Sequence, residues 1–431
     1  MAIPLMGSSF IQSIVLLTDS SFLSRYDTLA FDAAGNGGLV YITLFMTLVG
    51  LNEGTQILMA RRIGEERTSV LPRIFGSSIA INVIIAIILF TLSWLFIPDI
   101  ISSSARNSEL GQLQIDYIQI RSYGFIPSTV SLVILAYLTA TGRTLFILIN
   151  SIVIASANIL LDYSFIFGKF GFPEMGLDGA ALASTLSEFV GLIFLVVAIA
   201  FQKSAKEHEI LTQFKIKWDT IKKLLVLGSP IMLQGLVALT TWTVFFFWIE
   251  QMGVFELTVS QNIRSLYFLA FVPIWGLGAT AKTYVSQYMG KEDFQSVKIA
   301  MKRIQLLTMI FLFVIFHGAI FYPEELIGLI NPKQEFIQTS AETLRFLFGS
   351  MMLYGFFSVY FYTISGSGNT RFTFYIEVIA VLSYLASAYL FIKVLKWDIY
   401  YVWTVEYIYF GIIGILSVAY LNLFNWKKKK I

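Results

Sequence analysis

Twelve apolar stretches recur along these 431 residues, each long enough to cross the hydrocarbon core of a bilayer and each closed by a short polar break. They fall at about 2–24, 37–60, 74–97, 115–138, 145–167, 179–201, 225–249, 260–286, 304–322, 342–363, 373–393 and 402–424. In lipid every backbone N–H and C=O must be satisfied within the protein, so such stretches fold as spanning helices. Hydrophobic residues make up 57% of the chain and charged ones 13%, whereas a soluble domain carries about a quarter charged residues. A net charge of +3 offers no basic surface for nucleic acid. The chain has no cysteine, which removes disulfides and thiolate metal sites. His208 and His317 are too far apart in sequence to form a helical metal-ligand pair. Ala2–Leu23 has neither a basic leader nor a small-residue cleavage site, which argues for a span and against a signal peptide. Its missing cytoplasmic flank leads us to expect a start further upstream.

Lys and Arg set the orientation. Alternate breaks hold Arg61, Arg62, Arg67 and Arg73, then Arg143, then Lys203 to Lys223, Lys291 to Arg303, Arg371 and the tail Lys427–Lys430, together 20 of the 30 basic residues. Those breaks are expected on the cytoplasmic side of the cell membrane, with both termini inside. The longest, 202–223, divides the spans six and six, giving an amino-terminal half 1–201, a linker 202–223 and a carboxy-terminal half 224–431.

A repeat runs through both halves at an offset of 226 residues. Pro4 pairs with Pro230, Tyr41 with Tyr267, Gly50-Leu51 with Gly276-Leu277, Gly142 with Gly368 and Thr144 with Thr370. Aromatic-rich composition explains the Phe matches but not the Gly and Pro ones. Six spans per half is an even number, so the repeat is parallel, with its axis along the membrane normal. The expected fold is an all-α membrane protein of twelve helices in two six-helix lobes.

Carboxylates inside apolar spans are costly and therefore informative. Asn158 and Asp162 lie four residues apart on one face of the fifth span, with Ser151, Ala155 and Phe165. Ser8, Gln12 and Asp19 share a face of the first span, and Pro4 near its start is placed to bend it. An apolar wall favours the neutral form of such a carboxyl, and Gln12 or Asn158 could tune it by hydrogen bonding. These groups suit a proton or cation taken up and released during a cycle.

With these residues on view the chain resembles the multidrug and toxic compound extrusion (MATE) transporters. The resemblance covers both halves and rests on Leu16-Leu17-Thr18-Asp19, Gly54-Thr55-Gln56, Ala60-Arg61-Arg62-Ile63-Gly64, Thr141-Gly142-Arg143-Thr144, Asn158 to Asp162 and Gly176 to Ala183, in that order. It implies an H⁺- or Na⁺-driven antiporter that exports amphipathic, often cationic compounds by alternating access. No cofactor is implied beyond the coupling ion, and no catalytic residue, since this is not an enzyme. Carried over residue by residue, the coupling roles fall on Gln12, Asp19, Tyr117, Asn158, Asp162 and Ser184, with Na⁺ as an alternative occupant at Asp19, Asn158 and Asp162. Pro4 matches the proline where the first span is thought to bend. Another branch carries a glutamate in the seventh span and an aspartate in the tenth. Here Ala238 stands where that glutamate is expected, and the tenth span has no acid after Glu342. Coupling is therefore expected in the amino-terminal half.

Glu188, at helical spacing from Ser184, is a further coupling candidate, and Glu53 beside Asn52 a secondary one. Glu377 and Glu406 are expected at the membrane interfaces, as is His317, and Arg121 to snorkel or to pair with Asp116 or a membrane carboxylate. Aromatics of the seventh and tenth spans, among them Trp242, Phe246, Tyr354 and Tyr362, could hold a drug cation. Trp426 and Lys427–Lys430 read as an anchor on anionic lipid. The partners expected are small amphipathic substrates and membrane lipid, and the chain is expected to act as a monomer. A flippase for lipid-linked saccharides would want a basic cavity, whereas the ionisables here are mainly acidic. A membrane enzyme would want clustered His, Asp or Arg at a membrane face.

Overall fold

The computed structural model describes residues 1–104, 108–213, 215–331, 333–429 and 431, and among them there is no strand. The helices, in chain order, are α1 (Ala2–Tyr26), α2 (Thr28–Gly64), α3 (Leu71–Leu95), α4 (Ile97–Ser104), α5 (Ser108–Ser122), α6 (Phe125–Ala140), α7 (Leu145–Ile166), α8 (Gly176–Phe201) and α9 (Lys203–Glu207). They continue with α10 (Trp218–Glu250), α11 (Val254–Gly290), α12 (Phe294–Phe316), α13 (Gly318–Phe321), α14 (Pro323–Ile330), α15 (Gln334–Gly366), α16 (Thr370–Tyr389), α17 (Ile399–Val402) and α18 (Val405–Leu423). Among the described residues eleven stretches are long and apolar enough to cross a membrane, and α5 with α6 supplies a twelfth as one span bent by 48°.

That bend differs from the continuous fourth span read over 115–138. Pro127 explains it, because a proline ring clashes with the carbonyl four residues back, here that of Tyr123. The chain breaks there: Gly124 N–H turns to the Arg121 carbonyl at 2.9 Å, and α6 restarts with Pro127 in its first turn. Pro4 has no such effect. It sits in the first turn of α1, where a missing N–H costs no helical bond, and α1 runs unbroken to Tyr26. Pro4 does not divide α1 into two helices.

The repeat is visible in local geometry. Gly142 after α6 and Gly368 after α15 both take left-handed backbone, φ +78° and +87°. Each closes its helix with the same pair of bonds, Gly142 to Thr139 and Arg143 to Leu138 in one case, Gly368 to Ser365 and Asn369 to Ile364 in the other.

Residues 3–232 and 233–431 form two compact units. The boundary lies inside α10 because the start of that helix packs backbone to backbone on α2. A Cβ on Gly54 would meet Gly228 N at 2.8 Å, and one on Gly50 would meet Met232 N at 2.6 Å. In the first unit α7 lies along α8, and α2 packs on both α5 and α6. The core of the second unit is aromatic, built around Phe245, Tyr267, Tyr384, Trp403 and Phe410.

Candidate functional site

Asp19 and Asp162 come together because α1 and α7 run side by side in register. Ser8 Oγ and Ser151 Oγ are 2.6 Å apart. Eleven residues further along each helix, close to three whole turns, stand Asp19 and Asp162. Their carboxyl groups are close enough for the charge of Asp19 to act on Asp162. Asp162 is fully buried and Asn158, one turn earlier, is 1% exposed. The Asn158 amide donates to Ser184 Oγ at 3.4 Å, which ties α7 to α8.

Both oxygens of Asp162, Asp19 Oδ1 and Asn158 Oδ1 are buried without a hydrogen-bond partner. Buried polar atoms are almost always paired, so four orphaned oxygens in one neighbourhood leave acceptors there that a donor or a cation could satisfy. Two facing carboxylates repel unless a proton or cation neutralises one of them. Tyr117 lies among these groups, close enough for the charges of Asp19, Asp162, Arg121 and Glu188 to act on its hydroxyl. Gly37 of α2 makes room for it, since a Cβ there would meet the Tyr117 ring at 3.1 Å.

Glu188, a coupling candidate beside Ser184, sits in an ion pair and a cluster of hydrogen bonds. It accepts from Arg121 Nη2 at 2.9 Å, from Ser128 Oγ at 2.6 Å and from Tyr41 Oη at 3.5 Å. The guanidinium stacks 4.2 Å over the Tyr41 ring. This resolves Arg121: it pairs with a membrane carboxylate of α8, not with Asp116, whose Oδ1 accepts from Gln112. The α5–α6 break creates the space, because a Cβ on Gly124 would fall 2.3 Å from Glu188 Oε2. Arg121 also acts electrostatically on both Asp19 and Asp162, so the ion pair adjoins the aspartates.

Gln12 is exposed and makes no hydrogen bond among the described residues, although it shares the α1 face of Asp19. Glu53 is half-buried in α2, and its neighbour Asn52 bonds to Asn82 Oδ1 at 2.8 Å. His317 is satisfied locally, by the Val314 carbonyl at Nδ1 and Tyr322 Oη at Nε2.

The carboxy-terminal half adds contacts that the sequence did not show. Glu406 and Glu377 are buried within the protein, 2% and 3% exposed, and bonded to tyrosines of neighbouring helices. Trp426 turns inward, 6% exposed, and donates to the Leu421 carbonyl, so it is packing and not a lipid anchor. Lys430 and the Lys428 side chain lie outside the described residues. Among the aromatics proposed to hold a cation, Phe246 already has the Arg264 guanidinium 4.9 Å from its centroid, and Trp242 points at Glu406. The signal for the buried glutamates lay in the repeat: Tyr41 and Tyr267 are equivalent positions, and each donates to a glutamate of the last span in its half.

The MatE family model matches the chain twice, over residues 4–164 and 230–390, two ranges that begin 226 residues apart. A probable multidrug resistance protein NorM of Thermotoga maritima is 26% identical over 374 residues, 86% of this chain and 79% of that protein. A probable multidrug resistance protein YoeA of Bacillus subtilis is 22% identical over 100% of this chain and 93% of its own length. Among solved structures, an outward-facing multidrug resistance MATE family transporter of the MOP superfamily superposes with a TM-score of 0.90 at 20% identity, covering 100% of this chain and 96% of that one.

Proposed function

The chain belongs to the MATE family of multi-pass membrane transporters, and from that premise we propose that it is a multidrug efflux antiporter coupled to H⁺ or Na⁺ through Asp19 and Asp162. It is a transporter and not an enzyme. The observation that carries the coupling reading is the buried Asp162 carboxyl facing the half-buried Asp19, with their orphaned oxygens.

Asp162 and Asp19 hold the ion between them, and Asn158, fixed on Ser184, turns its free oxygen to the same place. With the ion bound one of the two negative charges is neutralised and α1 closes on α7. With the ion gone the two negative charges repel, and the Arg121 charge beside them becomes the main compensation. Ion and substrate exchange when they favour opposite states of the transporter, and the coupling free energy is the difference in those preferences. The relatives named multidrug resistance proteins support drug export, and amphipathic, often cationic cargo is what the family resemblance implies. We place the protein in the cell membrane, with the basic breaks and both termini in the cytoplasm.

The test is export of a fluorescent lipophilic cation from cells carrying Asp19→Asn or Asp162→Asn. Export is abolished while the protein still reaches the membrane. Undiminished export by either variant would sink the reading. Everted vesicles energised by a pH gradient or a Na⁺ gradient alone then identify the ion.

A further inference from the structure

The carboxy-terminal half holds two buried carboxyl groups that the coupling site does not use. Glu406 opens α18 and accepts from Tyr267 Oη of α11 at 2.9 Å, Tyr384 Oη of α16 at 3.1 Å and Trp242 Nε1 of α10 at 3.5 Å. Glu377 of α16 accepts from Tyr409 Oη of α18. The Tyr384 and Tyr409 rings meet edge to face with centroids 5.7 Å apart, so the two carboxyl–tyrosine pairs are contiguous. Seven residues separate Glu377 from Tyr384 along α16, about 10 Å at the helical rise.

Charge balance and partner chemistry together say what such groups can do. The titratable groups facing them from the surrounding helices are the hydroxyls of Tyr267, Tyr354, Tyr384 and Tyr409, and among the described residues no Lys or Arg acts on either carboxyl. A bare carboxylate in an apolar core costs several kcal/mol, and taking up a proton is the alternative. The partners allow that exchange. A tyrosine hydroxyl donates to a carboxylate and its oxygen accepts from a carboxylic acid, whereas a guanidinium or an amide N–H only donates and would fix the charged form. The repeat supports a retained site with relocated chemistry. Tyr384 occupies the position equivalent to Asn158, and Ala388 the position equivalent to Asp162, while α18 supplies the carboxyl.

We propose that Glu406 and Glu377 form a second proton-binding centre, each carboxylate taking one proton from water to become a neutral acid and returning it. The centre is independent of which ion the aspartate pair binds.

Infrared spectroscopy of the full-length protein in lipid bilayers, titrated with pH, tests this through the carbonyl band of protonated carboxyl groups. The wild-type band is expected to persist in part in the Asp19→Asn/Asp162→Asn double variant, and Glu406→Gln and Glu377→Gln each remove a component of what remains. Tyr384→Phe keeps Glu406 but removes a donor to its anion, so its component titrates about one pH unit or more higher. A purely structural glutamate would give no such component, or one that does not change with pH, and a component of that kind overturns the proposal. A band wholly lost in the double aspartate variant, or one unchanged by both glutamine variants, overturns the proposal. Should the glutamine variants fail to fold, an unshifted titration in Tyr384→Phe overturns it equally.

Discussion

Gly124→Ala isolates the contact that holds the fourth span to the sixth. Gly124 has ordinary helical backbone, φ −68° and ψ −18°, so alanine is conformationally acceptable there. Its Cβ, however, would sit 2.3 Å from Glu188 Oε2. A carboxylate at the end of a flexible side chain can retreat, and the cost is what it abandons: the 2.6 Å bond from Ser128 and the 2.9 Å pair with Arg121. Arg121 is 9% exposed and its Nη1 already lacks a partner, so it cannot fall back on water. Hydrogen bonds to charged groups are worth about 1.5–3 kcal/mol, and Gly124→Ala in the wild-type background is expected to destabilise by roughly that amount. In a Glu188→Ala background the carboxylate is gone and only the Arg121 carbonyl, 3.0 Å from the new Cβ, has to yield. The restriction of the unfolded chain, about 0.4–1 kcal/mol, then offsets part of what remains. The destabilisation thus shrinks across a double-mutant cycle, read as the thermal unfolding midpoint of purified protein in one detergent. Equal destabilisation in both backgrounds would mean that Gly124 serves the bend itself and not the ion pair.

Gly54→Val should part α2 from α10, because its side chain would begin 2.8 Å from Gly228 N; the expected loss is about 1–3 kcal/mol, and an unchanged unfolding midpoint would contradict the contact. The loop after α8 should respond to acid. Burial holds the His208 imidazole below its ordinary value, with Tyr137 Oη 2.9 Å from its Nδ1. The docked loop therefore resists protonation that the undocked loop accepts, so docking is at full strength above about pH 6.5 and weakens as pH falls below it. Tryptic cleavage at Lys203 and Lys206 should rise across that interval in wild type, and in His208→Gln it should be flat; a rise of the same size in both would remove His208 from the effect.

Much of this architecture can be read from residues. Apolar length located all the spans, because hydrocarbon imposes one rule on every backbone. The left-handed turn at Gly142 and Gly368 was legible as a repeated landmark, and so was the carboxylate kept at Asp162 but replaced by Ala388 in the other half. Helical periodicity placed Asp19 and Asp162 on polar faces, although it takes the Ser8–Ser151 contact and the proximity of the two carboxyls to show that those faces meet. What escaped depends on distant partners. The Arg121–Glu188 pair joins residues 67 positions apart through a space that exists only because the fourth span breaks. Glu406 and Glu377 look interfacial from their distance to the ends of apolar stretches, yet both face inward to tyrosines on other helices. The side a charged residue faces is a tertiary fact, and span boundaries do not carry it.

The coupling claim is tested most directly in proteoliposomes loaded at equilibrium with the coupling ion, by adding a cationic substrate to one side and measuring ion release. Wild type is expected to release ion on substrate addition, while Asp162→Asn, with Asp19 left in place, binds the substrate and releases none. Substrate-driven release at the wild-type rate from Asp162→Asn would contradict the assignment of coupling to the Asp19–Asp162 pair.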